Sequence, residues 1–173
     1  NVLAPLAGVS LGHAQWAAAQ FAIGLFLWPL VTALLLVRVA NVGMWPERML
    51  PASFVLVAPP AVIGLSAMQL GAPALLGWMC WGIAVFTLLW VGRLLRRIAS
   101  APFGLAHWSM SFPLAALSGL TLALGANGGL LKVLGPAMLA LTSLVILALS
   151  LATWRGLRAG TLLAPETVAV ITK

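Results

Sequence analysis

Few side chains in this chain of 173 residues could do acid–base or metal chemistry. The two histidines, His13 and His107, are predicted near the ends of membrane spans on opposite sides of a bilayer, so they cannot share a metal ion. Each is expected to form interfacial hydrogen bonds. Cys80 is the single cysteine, which excludes an intrachain disulfide and a cysteine-based metal motif. The sequence therefore predicts no metal site and no bound cofactor.

Nucleophilic chemistry is also disfavoured. Serines occur in the apolar stretches at Ser53, Ser66, Ser109, Ser111 and Ser118, but no general base accompanies any of them. A serine within an apolar helix is expected to bond to a backbone carbonyl one turn back. We therefore predict no catalytic residues and no enzymatic activity.

Proline followed by glycine recurs three times at nearly equal spacing. Pro5, Pro60 and Pro113 lie 55 and 53 residues apart, which is the length of one helical hairpin with its loops. Proline removes a backbone hydrogen bond and kinks a helix, and carbonyls freed within a membrane must face protein or water. The pattern predicts kinked inner helices around a cavity; the alternative is that these residues only shape helix packing. The candidate pore-lining or kink residues are Pro5, Gly8, Pro59, Pro60, Gly64, Pro113 and Gly119.

The composition requires a membrane environment for these helices. Hydrophobic residues make up 63% of the chain and charged residues 6%, against about 25% charged in ordinary soluble domains. The net charge of +7 comes from short clusters of arginine separated by long uncharged stretches, so no continuous basic face is available for nucleic acid. We predict an all-α integral membrane protein whose partner is the lipid bilayer.

A span of the bilayer core needs about 20 apolar residues. Uncharged runs, divided at glycine and proline, predict five full transmembrane helices within a single domain over 1–160, preceded at 1–12 by the end of a truncated helix and followed at 161–173 by a cytoplasmic tail. The helices are expected at about 15–38, 51–71, 74–97, 104–125 and 130–156.

Loop charges predict the orientation of these helices. Eight of the nine Lys and Arg residues follow the first, third or fifth full helix, and Lys132 alone lies on the opposite side. The positive-inside rule then places the C-terminus in the cytoplasm. Tryptophans are expected near the span ends at the headgroup layer, namely Trp16, Trp45, Trp78, Trp81, Trp108 and Trp154.

Specific strings resemble one transporter family. The segment PASFVLVAPPAVIGLSAMQLG at 51–71 and the segment WSMSFPLAALSGLTLAL at 108–124 are similar to two proline-bearing helices of the tellurite-resistance/dicarboxylate transporter family. That family includes bacterial TehA-like proteins, malate permeases, sulfite efflux pumps and the plant slow anion channels. The opening VLAPLAGVSLG and the stretch FAIGLFLWPLVTALLLVRV at 21–39 resemble its fifth and sixth helices.

The resemblance implies a fold and a function. Ten helices would form five hairpins in a quasi-fivefold ring with proline-kinked inner helices, usually in a homotrimer, and this chain would be its C-terminal half. Small anions (dicarboxylate, sulfite, chloride or nitrate) would cross through a central pore in a bacterial inner membrane. The motif position of the family's gating phenylalanine falls on Phe112, whereas Phe54 and Phe86 have no such match and are expected to pack.

Two other functions remain open at this point. No Asp, Glu, Lys or Arg lies in the middle of any predicted span, which disfavours a coupled pump built on intramembrane charges. A proton-coupled C4-dicarboxylate or tellurite-related exporter would need a titratable pore group elsewhere. A non-transporting membrane scaffold would use the small residues for helix packing alone.

Overall fold

The computed structural model describes residues 1–126, 128–160 and 162, and within these it contains helices and no strands. Two 3-10 helical segments occur, at Glu47–Val57 and Leu105–Met110. The seven α-helices are α1 (Ala4–Gly8), α2 (Ala14–Val42), α3 (Ala58–Gln69), α4 (Ala74–Gly92), α5 (Leu95–Ser100), α6 (Ser111–Gly125) and α7 (Leu131–Arg158).

Five helical stretches are long and apolar enough to cross a membrane, which confirms the predicted all-α class and the number of full spans. They are Ala14–Val42, Glu47–Gln69, Ala74–Gly92, Leu105–Gly125 and Leu131–Arg158. The second and fourth of these each join a 3-10 segment to an α-helix.

Some helix boundaries and side-chain positions differ from those expected from the sequence. The helix expected at 74–97 ends at Gly92, and the arginine-rich residues that follow form the separate α5. Trp81 lies in the middle of α4, not at a span end. Of the tail expected at 161–173, all but Leu162 lies outside the described residues.

Prolines explain why the second and fourth spans are composite, each a 3-10 segment followed by an α-helix. Pro59 and Pro60 stand in the first turn of α3, and Pro113 stands in the first turn of α6. Proline is tolerated there because its missing N–H would have no partner inside the helix. The preceding residues close the tighter 3-10 bonds instead, as when the Ala58 N–H donates to the Val55 carbonyl. Each of the two composite spans therefore changes from a 3-10 to an α-helix just before its prolines.

The helices form an inner and an outer layer. The inner layer contains α1, α3 and α6, with α3 in contact with both of the others. In the most apolar stretch of the span Glu47–Gln69, 67% of the residues are buried, whereas none is buried in the corresponding stretch of Ala14–Val42. The outer layer contains α2, α4 and α7, which pack on α1, α3 and α6 respectively. All three helices of the inner layer carry one of the repeated proline motifs.

The close packing of α3, α4 and α6 depends on Gly64. A Cβ at this position would lie 2.8 Å from the Cys80 Cβ and 3.0 Å from the Leu120 Cδ2, closer than ordinary carbon contacts. The Cys80 Cβ cannot move without its backbone. The absence of a side chain at Gly64 therefore sets the distance between α3 and α4.

We expect Gly64→Ala to destabilise the full-length protein by about 1–3 kcal/mol, because the added methyl overpacks this contact. Gly82→Ala on α4 is the matched control, since nothing lies within 4 Å of a Cβ built there. The control should leave the melting temperature unchanged or slightly raised, because alanine favours the helix. Thermal unfolding of both purified variants in one detergent tests this, and equal melting temperatures would contradict it.

Side-chain hydrogen bonds also join α6 of the inner layer to the outer helices α4 and α7. The Trp81 indole N–H on α4 donates to the Thr121 hydroxyl on α6 over 3.0 Å. Ser118 on α6 and Thr142 on α7 share a bond of 3.0 Å. Such bonds between apolar helices add direction to packing that would otherwise be nonspecific.

Candidate functional site

The three proline-bearing segments meet at one cavity of about 290 Å³. It lies between the chain just before α1, the start of α3 with the 3-10 segment before it, and the start of α6 with its own 3-10 segment. The lining residues are Val2, Leu3, Val55, Ala58, Pro59, Val62, Ser109, Phe112 and Pro113. Segments that lie far apart in the sequence therefore form one surface.

Phe112 is the largest side chain on this surface and is 50% exposed. Its neighbour Pro113 is fully buried and anchors the first turn of α6 against the other helices. The aromatic ring consequently stands at the edge of the cavity without being enclosed by the packed core.

The cavity surface is apolar. Ser109 is the one lining residue with a polar side chain, and its hydroxyl donates to the Ala106 carbonyl over 2.6 Å. None of the nine lining residues carries a charge. A narrow passage with such walls opposes the entry of water and ions, which is the property of a hydrophobic constriction.

The seven proline and glycine candidates separate into two groups. Pro59 and Pro113 line the cavity, whereas the other five are not among its lining residues. A Cβ on Gly8 would lie 2.6 Å from the Ala17 Cβ of α2, and one on Gly119 would lie 3.4 Å from the Leu65 Cδ1. The second group comprises Pro5 and Pro60, which are buried, and Gly8, Gly64 and Gly119, which face side chains of other helices.

The serines behave mostly as expected. Ser109, Ser111 and Ser118 donate to carbonyls three or four residues back. Ser66 differs, because its hydroxyl donates over 2.6 Å to the Val2 carbonyl just before α1, and so joins two inner segments. The Ser53 hydroxyl is buried and has no hydrogen-bond partner among the described residues.

The histidines and the cysteine lie apart from this cavity. His107 is buried, and its Nδ1 lies 3.2 Å from the Gly104 nitrogen and 3.0 Å from the Gly104 oxygen. Cys80 is buried in the contact of α4 with α3. Within the described ranges, no three His, Cys, Asp or Glu side chains lie close enough to hold a metal ion.

The arginines at the span ends are exposed or only partly covered. Arg97 forms an ion pair with Glu47 at 3.4 Å, and both side chains are more than half exposed. Arg38 and Arg158 each lie over a tryptophan ring, at 5.2 Å from the centroid of Trp45 and 4.6 Å from that of Trp154. Such pairings suit the headgroup layer, where a cation and an amphipathic ring both find water.

Sequence reasoning missed the aliphatic part of the lining. Val2, Leu3, Val55 and Val62 carry no chemical signal that distinguishes them from the many other apolar residues. Val55 is four residues before Pro59 and Val62 is three residues after it, but this spacing alone does not tell which face of the span turns to the cavity.

Comparison with known proteins gives one match. The family model described as voltage-dependent anion channel matches residues 1–154, which is most of the chain. No curated protein and no solved structure shows a significant match. The family match spans both proline-bearing strings that suggested this type of transporter, together with the opening stretch and the helix after it. This chain is a multi-pass membrane protein that belongs to the voltage-dependent anion channel family.

Proposed function

We propose that this chain forms part of a pore that conducts small anions and that Phe112 is its gate. Anion transport is the activity of the family to which the chain belongs. The observation that carries the proposal is the half-exposed Phe112 ring on the apolar cavity where the three proline-bearing segments meet. A ring in this place blocks a narrow path by excluding water.

The proposed lining favours anions that give up water easily. The nine lining residues offer no fixed positive charge to replace a hydration shell, so the free energy of dehydration dominates selectivity. Chloride and nitrate carry one charge and are therefore favoured over dicarboxylates, which are largely divalent at neutral pH, and over the divalent form of sulfite. The pore takes up no cation preferentially, because it has no acidic ring in the described residues.

We also propose the orientation of this pore in the membrane and its oligomeric state. The arginines at the ends of α2, α4 and α7 support an orientation with that side, and the C-terminus, in the cytoplasm. By the family resemblance, the functional unit is a homotrimer in a bacterial inner membrane. No nucleic acid takes part.

Anion efflux from liposomes that carry the purified full-length protein tests the proposed activity. We expect chloride and nitrate flux above that of protein-free liposomes, with no proton movement that tracks it. Proton movement in step with dicarboxylate flux would instead favour a coupled exporter. Absence of anion flux from well-folded protein, including the variant in which Phe112 is truncated, would favour a scaffold and overturn the proposal.

A further inference from the structure

Two hydrogen bonds between a tryptophan and a threonine join the fourth span, Leu105–Gly125, to neighbouring helices. The Trp108 indole N–H, in the 3-10 segment before α6, donates to the Thr153 hydroxyl on α7 over 2.9 Å. The other is the Trp81–Thr121 bond of 3.0 Å. Trp108 stands four residues before Phe112, whereas Thr121 stands nine residues after it, about 13 Å along the helix.

The backbone around Phe112 is held less firmly by its own hydrogen bonds than the middle of α6. Pro113 has no N–H, so it leaves the Ser109 carbonyl without the α-helical bond it would otherwise accept. The Ser111 hydroxyl and the Ser111 N–H both donate to the Trp108 carbonyl instead. These two bonds connect Trp108 directly to the turn that carries Phe112, so a shift of Trp108 moves that turn.

Packing and one hydrogen bond together fix the position of the Trp108 ring. It packs against a buried cluster that includes Phe54, Met110 and Leu149, and an indole N–H in such surroundings needs an acceptor. Thr153 supplies it in a fixed direction, because its own hydroxyl donates to the Leu149 carbonyl over 2.8 Å. The indole N–H is therefore oriented by the packing of its ring, and the Thr153 hydroxyl by its bond to Leu149.

We propose that Trp108 and Thr153 are positioning residues for Phe112: their hydrogen bond ties the 3-10 segment to α7 and holds the aromatic ring over the cavity. This inference rests on the proposed function. When the bond is absent, the turn before Pro113 relaxes and the ring leaves the cavity more often. The closed pore then leaks, while the anion path itself is unchanged.

Trp108→Phe and Thr153→Val test the bond from its two sides. Thr153→Val removes the hydroxyl with little change in volume, whereas Trp108→Phe removes the indole N–H and also makes the side chain smaller. We expect each variant to raise basal chloride flux about threefold per folded protein in liposomes, the size of effect of one hydrogen bond between membrane helices. Thr153→Ser keeps the hydroxyl and should restore the wild-type flux. In a Phe112→Ala background, neither variant should raise the flux further. If one variant does not fold, the other still gives the result.

The matched controls are Trp81→Phe and Thr121→Val, which remove the same kind of bond from α6 at a distance from Phe112. They should lower thermal stability without raising basal flux. An equal rise in these controls, or a rise that persists without Phe112, would show general loosening and overturn the inference. Wild-type flux in both Trp108→Phe and Thr153→Val, with increased flux in Phe112→Ala, would overturn the positioning role alone and leave the proposed function standing. No increase in Phe112→Ala would overturn the gate and the inference together.

Discussion

Replacing Phe112 by alanine is expected to raise anion flux on the order of tenfold, which corresponds to a barrier about 1.4 kcal/mol lower. The ring stands half-exposed on an apolar cavity whose other residues are smaller, so its removal enlarges the cavity. Water can then enter with the ion, and less of the hydration shell is lost. Chloride and nitrate efflux from liposomes with equal amounts of folded wild-type and variant protein measures the effect.

Phe86→Ala is the control for a general effect of losing an aromatic ring. Phe86 lies on the outer helix α4 and is 70% exposed, away from the residues that line the cavity. Its removal should leave flux at the wild-type value. Phe112→Leu, which keeps an apolar side chain of intermediate size, should give an intermediate flux. Equal flux from wild type and Phe112→Ala would place the gate elsewhere.

A fixed negative charge at Val55 is expected to suppress anion flux by at least about tenfold. Val55 lines the cavity and is 51% exposed, so a side chain of similar size fits there without disturbing the core. Two like charges 4 Å apart repel by about 4 kcal/mol at an effective dielectric constant of 20, and the apolar walls screen this little. Phe112→Ala serves as the background, because its larger flux makes a decrease easy to measure.

The comparison that isolates the charge is Val55→Asp against Val55→Asn, which have nearly the same shape. The Asn variant should conduct close to the Phe112→Ala background at neutral pH, and the Asp variant should not. Lowering the pH to protonate the aspartate should bring the two fluxes together, since the neutral acid no longer repels the ion. Equal flux in both variants at neutral pH would mean that anions do not pass Val55.

Much of the architecture was predictable because it depends on local quantities. The length of an uncharged apolar run decides whether it can span a bilayer, and five such runs become the five long helical stretches of the structure. The repeated prolines identified the inner layer, since α1, α3 and α6 are the helices that carry them. The string around Phe112 and Pro113 identified the family before any geometry was known, and the family model confirms it.

The face that each helix turns to the cavity could be decided only by the tertiary structure. In a soluble helix, the polar side marks the surface, but these helices are apolar all round, so Val55 and Val62 on the cavity look like the valines of the outer helices. The roles of the glycines likewise depend on what stands opposite: Gly64 faces Cys80 across a helix contact, not the open cavity. The partner of Trp108 lies 45 residues away on α7, and no local pattern names it. Length, charge and proline are properties of a segment and can be read from the sequence, whereas orientation and hydrogen-bond partners are relations between segments and exist only once the helices have packed.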